Sequence, residues 1–270
     1  MVGFSTNIRI GLWLDSLKLG VKSGLKAAAA MQPDSLGLDA FEAEIAPRNL
    51  GLSGRRDLAR HVRGVGALAA LKADVGGRRL ADAQALDANL ARIREALQLA
   101  ADLGAPRLQL PAGFVPVDAK ENETVRRTLA EAARAVISMA SATGVRVCWL
   151  AGSEAPETLA EFLNGVDSGG MIDVDLNPGA FVMRDVDPLK ALNALSARVS
   201  MARAADHYRG GAEAPFGSGD VRWGEVLVGL ATLNRNAPVD VLAARTLDGE
   251  RVAGIAGAVR KLKAVLTKPV

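Results

Sequence analysis

A (β/α)8 TIM barrel, an α/β fold occupying a single domain over residues 1–270, is the architecture the sequence predicts. Three observations point to it. Short apolar runs alternate with longer helical segments along the whole chain, eight times over. Those runs read as apolar throughout rather than alternating, as parallel strands covered on both faces should. No linker interrupts the series, and 270 residues are enough for one large barrel or two modest domains.

Taken in order, Ile8–Leu14 is the first strand, and Leu17–Met31 an Ala-rich helix stopped by Gln32-Pro33-Asp34. Ser35–Leu38 is the second strand, followed by a polar loop over Asp39–Ser53 and a helix over Gly54–Val65. Ala67–Ala73 is the third strand. In Asp87–Leu103 the apolar residues Leu90, Ile93, Leu97 and Ala101 make a helical stripe that Gly104 ends. Arg107–Leu110 is the fourth strand. Asn122–Thr143 is a long helix with Val125, Leu129, Ala133, Val136 and Ala140 on one face, ended by Gly144. Arg146–Leu150 and Met171–Leu176 are the fifth and sixth strands, separated by a helix over Pro156–Val166. The sixth leaves into a loop at Asn177-Pro178-Gly179, and Pro188–Leu195 is a short helix. Val199–Ala204 is the seventh strand, followed by a Gly/Pro-rich loop over Arg209–Asp220 and a helix over Trp223–Leu233. Pro238–Ala243 is the eighth strand and Glu250–Leu266 the closing helix. The competing architecture, a doubly wound open sheet, would carry GxGxxG after the first strand, where this chain reads WLDSLKLG.

Composition narrows the function. Hydrophobic residues make up 49% and charged residues 23%, ordinary values for a globular chain, while aromatics are only 4%. The net charge of +3 is spread among acids, without a basic block or aromatic interleaving, so nucleic-acid binding is not expected. No apolar run reaches the roughly 20 residues of a membrane span, and the N-terminus lacks the pattern of a secretory signal. The one cysteine, Cys148 in VRVCWL, excludes an internal disulfide and reads as a core thiol. A reducing cytoplasmic location is therefore expected.

Chemistry in such a barrel sits at the C-terminal ends of the strands. Those ends supply Trp13, Asp15, Asp39, Lys72, Asp74, Gln109, Leu150, Asp175, Asn177, Met201, Arg203, Asp206, His207, Ala244 and Arg245. Among them Trp13, Asp39, Lys72, Gln109, Asp175, Asn177, Arg203, His207 and Arg245 are the candidate substrate-binding residues. Asp173 and Asp175 alternate along one strand and so share a face. Lys72, Arg203 and Arg245 would make the pocket cationic and suited to a phosphate or carboxylate. A lysine at a strand end is also a candidate Schiff-base former.

Several segments carry a resemblance that spans nearly the whole chain: LDAFEAEIAPRNLGLSGRRDLARHV, LDANLARIREALQLAADLGAPRLQL, SEAPETLAEFLNGVDSGGMIDVDLNPGAFVMRDVDP and FGSGDVRWGEVLVGL. The sequence resembles the sugar-phosphate isomerases and epimerases of the xylose isomerase-like barrel superfamily. That resemblance implies one divalent metal held by a Glu, an Asp, a His and a Glu from strands five to eight. The ion would polarise a sugar carbonyl and its neighbouring hydroxyl while the glutamates move a proton.

At the four corresponding positions this chain has Leu150, Asn177, Met201 and Ala244. No metal or other cofactor is therefore expected, although the family implies one. The catalytic residues of the usual reaction are unknown here. The sequence then supports a non-catalytic barrel binding a sugar-derived or anionic small molecule. The alternative is an isomerase or epimerase with a metal-independent or relocated site built from Asp175, Asp206, His207 or Lys72. Multimetal repair nucleases share this barrel, but they need more histidines than the two present, of which His61 reads as exposed on a helix. A homo-oligomer is left open.

Overall fold

The structure, a computed structural model, describes residues 7–76, 79–117, 122–152, 154–233, 236–244 and 251–267. Eight parallel strands close into a barrel: β1 (Ile8–Trp13), β2 (Ser35–Asp39), β3 (Ala67–Lys72), β4 (Arg107–Leu110), β5 (Arg146–Ala151), β6 (Ile172–Leu176), β7 (Val199–Ala204) and β10 (Val239–Ala243). Two further strands, β8 (Asp206–His207) and β9 (Glu213–Ala214), pair antiparallel in the loop after β7. Neighbours run β1-β10-β7-β6-β5-β4-β3-β2, so the last barrel strand closes on the first, with Ile10 opposite Val241. The helices are α1 (Val21–Met31), α2 (Leu52–Arg63), α3 (Leu86–Leu103), α4 (Glu123–Thr143), α5 (Pro156–Val166), α6 (Pro178–Met183), α7 (Pro188–Leu195), α8 (Trp223–Ala231) and α9 (Arg251–Thr267).

The main core lies between the barrel's outer surface and the helices. Ile10, Leu12, Leu36, Leu38, Val147, Trp149, Val174 and Val241 pack there against Ile93, Leu97, Leu129, Val136 and Leu163. A second, smaller apolar cluster of Trp13, Ala69, Ala70, Cys148, Met201, Leu242 and Ala244 fills part of the lumen. The two clusters correct one expectation. Not every strand is apolar throughout: β6 reads Ile-Asp-Val-Asp-Leu, with all five residues buried. Alternation persists because the lumen of this barrel holds charge.

That charge is concentrated near the N-terminal ends of the strands. Asp240 on β10 accepts from Arg9 Nε (2.8 Å) and Nη2 (2.6 Å) beside it, and from Arg107 Nη1 (2.9 Å) on the opposite wall. Arg146 clasps Asp173 through Nε (2.8 Å) and Nη2 (2.7 Å), and Arg107 Nε lies 4.0 Å from the same carboxylate. Arginine is suited to this floor because its planar fork satisfies a carboxylate through two parallel bonds.

Helix stops fall where the sequence places them. Gly104 (φ 74°) and Gly144 (φ 70°) take the left-handed conformation that ends α3 and α4. Three local features differ from expectation. Leu14–Leu17 is a separate 3-10 turn, and α1 begins only at Val21 after the left-handed Lys18. The loop after β7 contains the β8–β9 ribbon. The loop after β6 contains α6, since Asn177 caps a helix whose first residue is Pro178.

Candidate functional site

The C-terminal strand ends open on a cavity of about 340 Å³ lined by Trp13, Asp15, Ser16, Lys18, Lys72, Arg203, Ala244 and Arg251. Trp13 ends β1 and is held by Gly37 on β2. A β-carbon at residue 37 would collide with the Cε3–Cζ3 edge of the indole. The Trp13 Nε1–H is buried and has no hydrogen-bond partner.

Lys72, at the end of β3, donates from Nζ to Asp15 Oδ2 at 2.6 Å and lies 3.7 Å from Asp39 Oδ2. Its ammonium also stands 5.6 Å from the Trp13 ring centroid, a cation–π distance. Lys72 is thus engaged by two carboxylates and an aromatic face, which is not the surrounding of a nucleophilic amine. Asp15 keeps a second oxygen, Oδ1, that is buried and accepts nothing. Asp39 also accepts from the backbone N–H of Phe41 and lines a neighbouring cavity of about 230 Å³.

Arg203 near the end of β7 differs from the arginines of the floor. Among the described residues no hydrogen bond or ion pair engages its side chain, and its Nε is buried without a partner. Asp175 on β6 is fully buried; Gln109 Nε2 donates to its Oδ2 at 3.2 Å, while Oδ1 has no partner. Burial pushes the Asp175 carboxyl up to about 6 against the opposing pull of Arg203, the Gln109 bond and Arg107. Cys148 is buried nearby with its sulfur 3.8 Å from Ser200 Oγ, and desolvation raises its thiol well above the usual range.

The remaining candidates are occupied differently. Asn177 Oδ1 accepts from Ala180 N (3.2 Å), so this side chain caps α6. Asp206 is buried, and its two oxygens accept from the backbone N–H groups of His207 (3.0 Å), Gly217 (2.8 Å), Gly219 (3.3 Å) and Val221 (3.3 Å). It organises the ribbon loop. His207 packs on Gly179 in α6, with Nδ1 buried and unpartnered, and does not line the main cavity. Arg245 lies outside the described residues. The structure therefore gathers Trp13, Lys72 and Arg203 around one cavity, joins Gln109 to Asp175 beside it, and places Asn177 and His207 against α6. Sequence reasoning did not single out Ser16, Lys18 and Arg251. The two basic residues sit in a turn and at the first residue of a helix, on the same face as the strand ends.

The four positions where the family's metal ligands would fall are equally specific. Leu150 stands opposite Asp175 in the β5–β6 register, Met201 is fully buried in the luminal apolar cluster, and Ala244 offers only a methyl group. Among the described residues no group of three or more His, Cys, Asp or Glu could hold a metal ion. Nor, among them, is any helix long and apolar enough to cross a membrane.

A closed parallel barrel with a polar cavity at the strand C-termini defines a (β/α)8-barrel protein. The chain belongs to the xylose isomerase-like TIM barrel family, whose model matches residues 31–242. Among curated proteins no match is found. The fold is similar to that of a xylose isomerase domain protein from Planctomyces limnophilus, at TM-score 0.79 and 18% identity over 96% of both chains. It is similar to D-psicose 3-epimerase from Clostridium cellulolyticum H10, whose structure was determined with D-tagatose: TM-score 0.77, 14% identity, 96% of this chain and 99% of that one. A sugar phosphate isomerase/epimerase from Parabacteroides distasonis ATCC 8503 matches at TM-score 0.72 and 13% identity over 97% of each. At these identities the likeness is one of fold.

Proposed function

We propose that this chain is a small-molecule-binding barrel in carbohydrate metabolism, non-catalytic in the metal-dependent sense, that takes a sugar-derived or anionic ligand without a divalent ion. One observation carries the reading: Leu150, Asn177, Met201 and Ala244 stand where the family's ligands would be. A hard or borderline divalent ion requires carboxylate or imidazole donors. Leucine and alanine have none, methionine offers a soft thioether, and the one amide oxygen already caps α6. The residues present do not fit the metal. What lines the cavity instead is cationic: Lys18, Lys72, Arg203 and Arg251 against the single carboxylate of Asp15. A single, fully buried cysteine suits a reducing cytoplasmic location.

The test is elemental analysis of the purified protein after dialysis against manganese or cobalt, alongside calorimetric titration of sugar acids and sugar phosphates in EDTA. Binding undiminished by EDTA is expected. One tightly held divalent ion per chain at the strand-end face would sink the reading.

A second reading, a metal-independent isomerase or epimerase, has Asp175 in its favour. A buried carboxyl titrating near 6, with one oxygen free to accept, has the character of a general base. It predicts deuterium uptake from D2O next to the carbonyl of a ketose in excess EDTA, lost in Asp175→Asn. Ketoses that remain unlabelled would refute it.

A further inference from the structure

We infer that the cavity at the barrel mouth is selective for a carboxylate: its ligand is a polyhydroxy monocarboxylate of single-sugar size, its acid group held between Arg203 and the indole N–H of Trp13. This rests on the reading of the chain as a metal-free binding barrel and adds the class of ligand.

The two donors line one cavity from strands that a single strand separates. Gly37 of β2 meets the Trp13 indole at Cδ2, Cε3 and Cζ3, the part of the ring remote from Nε1. Around the barrel, β1 is followed on the side away from β2 by β10 and then β7. The residue after β10 is Ala244, whose methyl leaves room between Trp13 and Arg203, and all three line the same cavity. Trp13 is 1% exposed, yet its N–H is unsatisfied, as is the Arg203 Nε–H. Buried donors rarely stay unpaired, and two in residues that wall one cavity call for an acceptor that the described residues do not supply. An anion suits both, since a charge-assisted bond to guanidinium is about twice as strong as a neutral one.

The charge on that anion follows from which cations are free. Lys72 already has Asp15 and Asp39, Arg251 has an interaction of its own, and Lys18 is solvent-exposed. Among the described cations of the cavity, Arg203 is the one that is partly buried with no ion pair, Asp175 acting on it only through charge at longer range, which matches a monoanionic carboxylate better than a phosphate carrying nearly two charges at neutral pH. The opposite requirement comes from Asp15, whose buried Oδ1 needs a donor. A ligand hydroxyl provides one. A cavity of about 340 Å³ is at the small end of ligand sites, which limits the molecule to about one sugar unit.

The experiment is isothermal titration of the full chain in EDTA with sodium gluconate, sodium glucuronate, glucose 6-phosphate and glucose. It is repeated for Arg203→Gln and Trp13→Phe, with urea unfolding to establish that each variant folds. At least one acid is expected to bind tenfold or more tightly than glucose 6-phosphate and glucose. Arg203→Gln should lose that tenfold preference, and Trp13→Phe should weaken the acid several-fold. If glucose 6-phosphate or glucose binds as tightly as both acids, the inference is overturned while the metal-free barrel stands. The same holds if the preference survives in a folded Arg203→Gln. An acid preference that needs Arg203 but appears only with added manganese would overturn the metal-free reading and leave the carboxylate site in place. Failure of all four probes to bind overturns the inference.

Discussion

Replacing Asp175 with asparagine should make the chain's stability less sensitive to pH, by an amount that its burial fixes. Asp175 is completely buried, and its carboxyl titrates at about 6 in the folded chain against 3.8 when unperturbed. Between those values the folded state holds a proton that the unfolded state has released, so raising the pH favours unfolding. The difference of roughly two pH units corresponds to about 3 kcal/mol, lost between about pH 4 and 6 and absent in full above that window. Asparagine keeps an acceptor for Gln109 Nε2 but cannot ionise, so this loss disappears in Asp175→Asn. The new amide N–H₂ would take the place of the unpartnered Oδ1 and adds a cost of about 1–3 kcal/mol at every pH. The decisive quantity is therefore the change with pH. Urea unfolding of both proteins from pH 4 to 8 should show the variant gaining about 3 kcal/mol relative to wild type. A difference constant across that range would refute the argument. A difference of opposite sign would mean that Arg203 and Gln109 outweigh desolvation and hold the carboxylate ionised.

Two further substitutions probe the barrel floor and the turn after β6. Asp240→Asn removes the charge that Arg9 and the buried Arg107 share, and should destabilise the protein by about 3–5 kcal/mol in chemical denaturation; a loss below about 1 kcal/mol would mean that the floor is not a coupled network. Asn177→Ala should cost about 1 kcal/mol through loss of the α6 cap, and Asn177→Asp only a few tenths, because aspartate caps equally well. Calorimetry of Asn177→Asp with manganese should still show no binding, because Leu150, Met201 and Ala244 are unchanged; tight binding would contradict the account of the ligand positions.

The barrel was legible because its outer core is simple. Strand residues facing the helices are Leu, Ile and Val at alternate positions, helix stripes such as Ile93, Leu97 and Ala101 recur at helical spacing, and Gly104 and Gly144 stop their helices. The lumen was less legible. Asp173, Asp175 and Asp240 lie in strands that read as apolar runs, and only the closed barrel shows that Arg107 can span the lumen to reach Asp240. Counting strand ends identified Trp13, Lys72 and Arg203, because a strand fixes the direction of its side chains. The same counting could not place His207 or Asp206, because loop residues have no periodic facing. Asp206 looked available as an acid, yet four backbone N–H groups converge on it. The signal for α6 was present in the Asn177-Pro178 pair, a residue type suited to the cap followed by one suited to the first helical position.

The arginines of the lumen separate structure from function by a single criterion. Arg9, Arg107 and Arg146 each meet a carboxylate within 3 Å, at Asp240 or Asp173, and together they seal the floor. Arg203 sits higher, on the cavity side, and meets none. Desolvating a guanidinium without a partner is costly, so an arginine needed only for stability would be expected to have one. Asp175 acts on Arg203 through charge but makes no ion pair with it. The position of Arg203 in one cavity wall with Ala244 and the unsatisfied indole of Trp13 is what supports the proposed acid site.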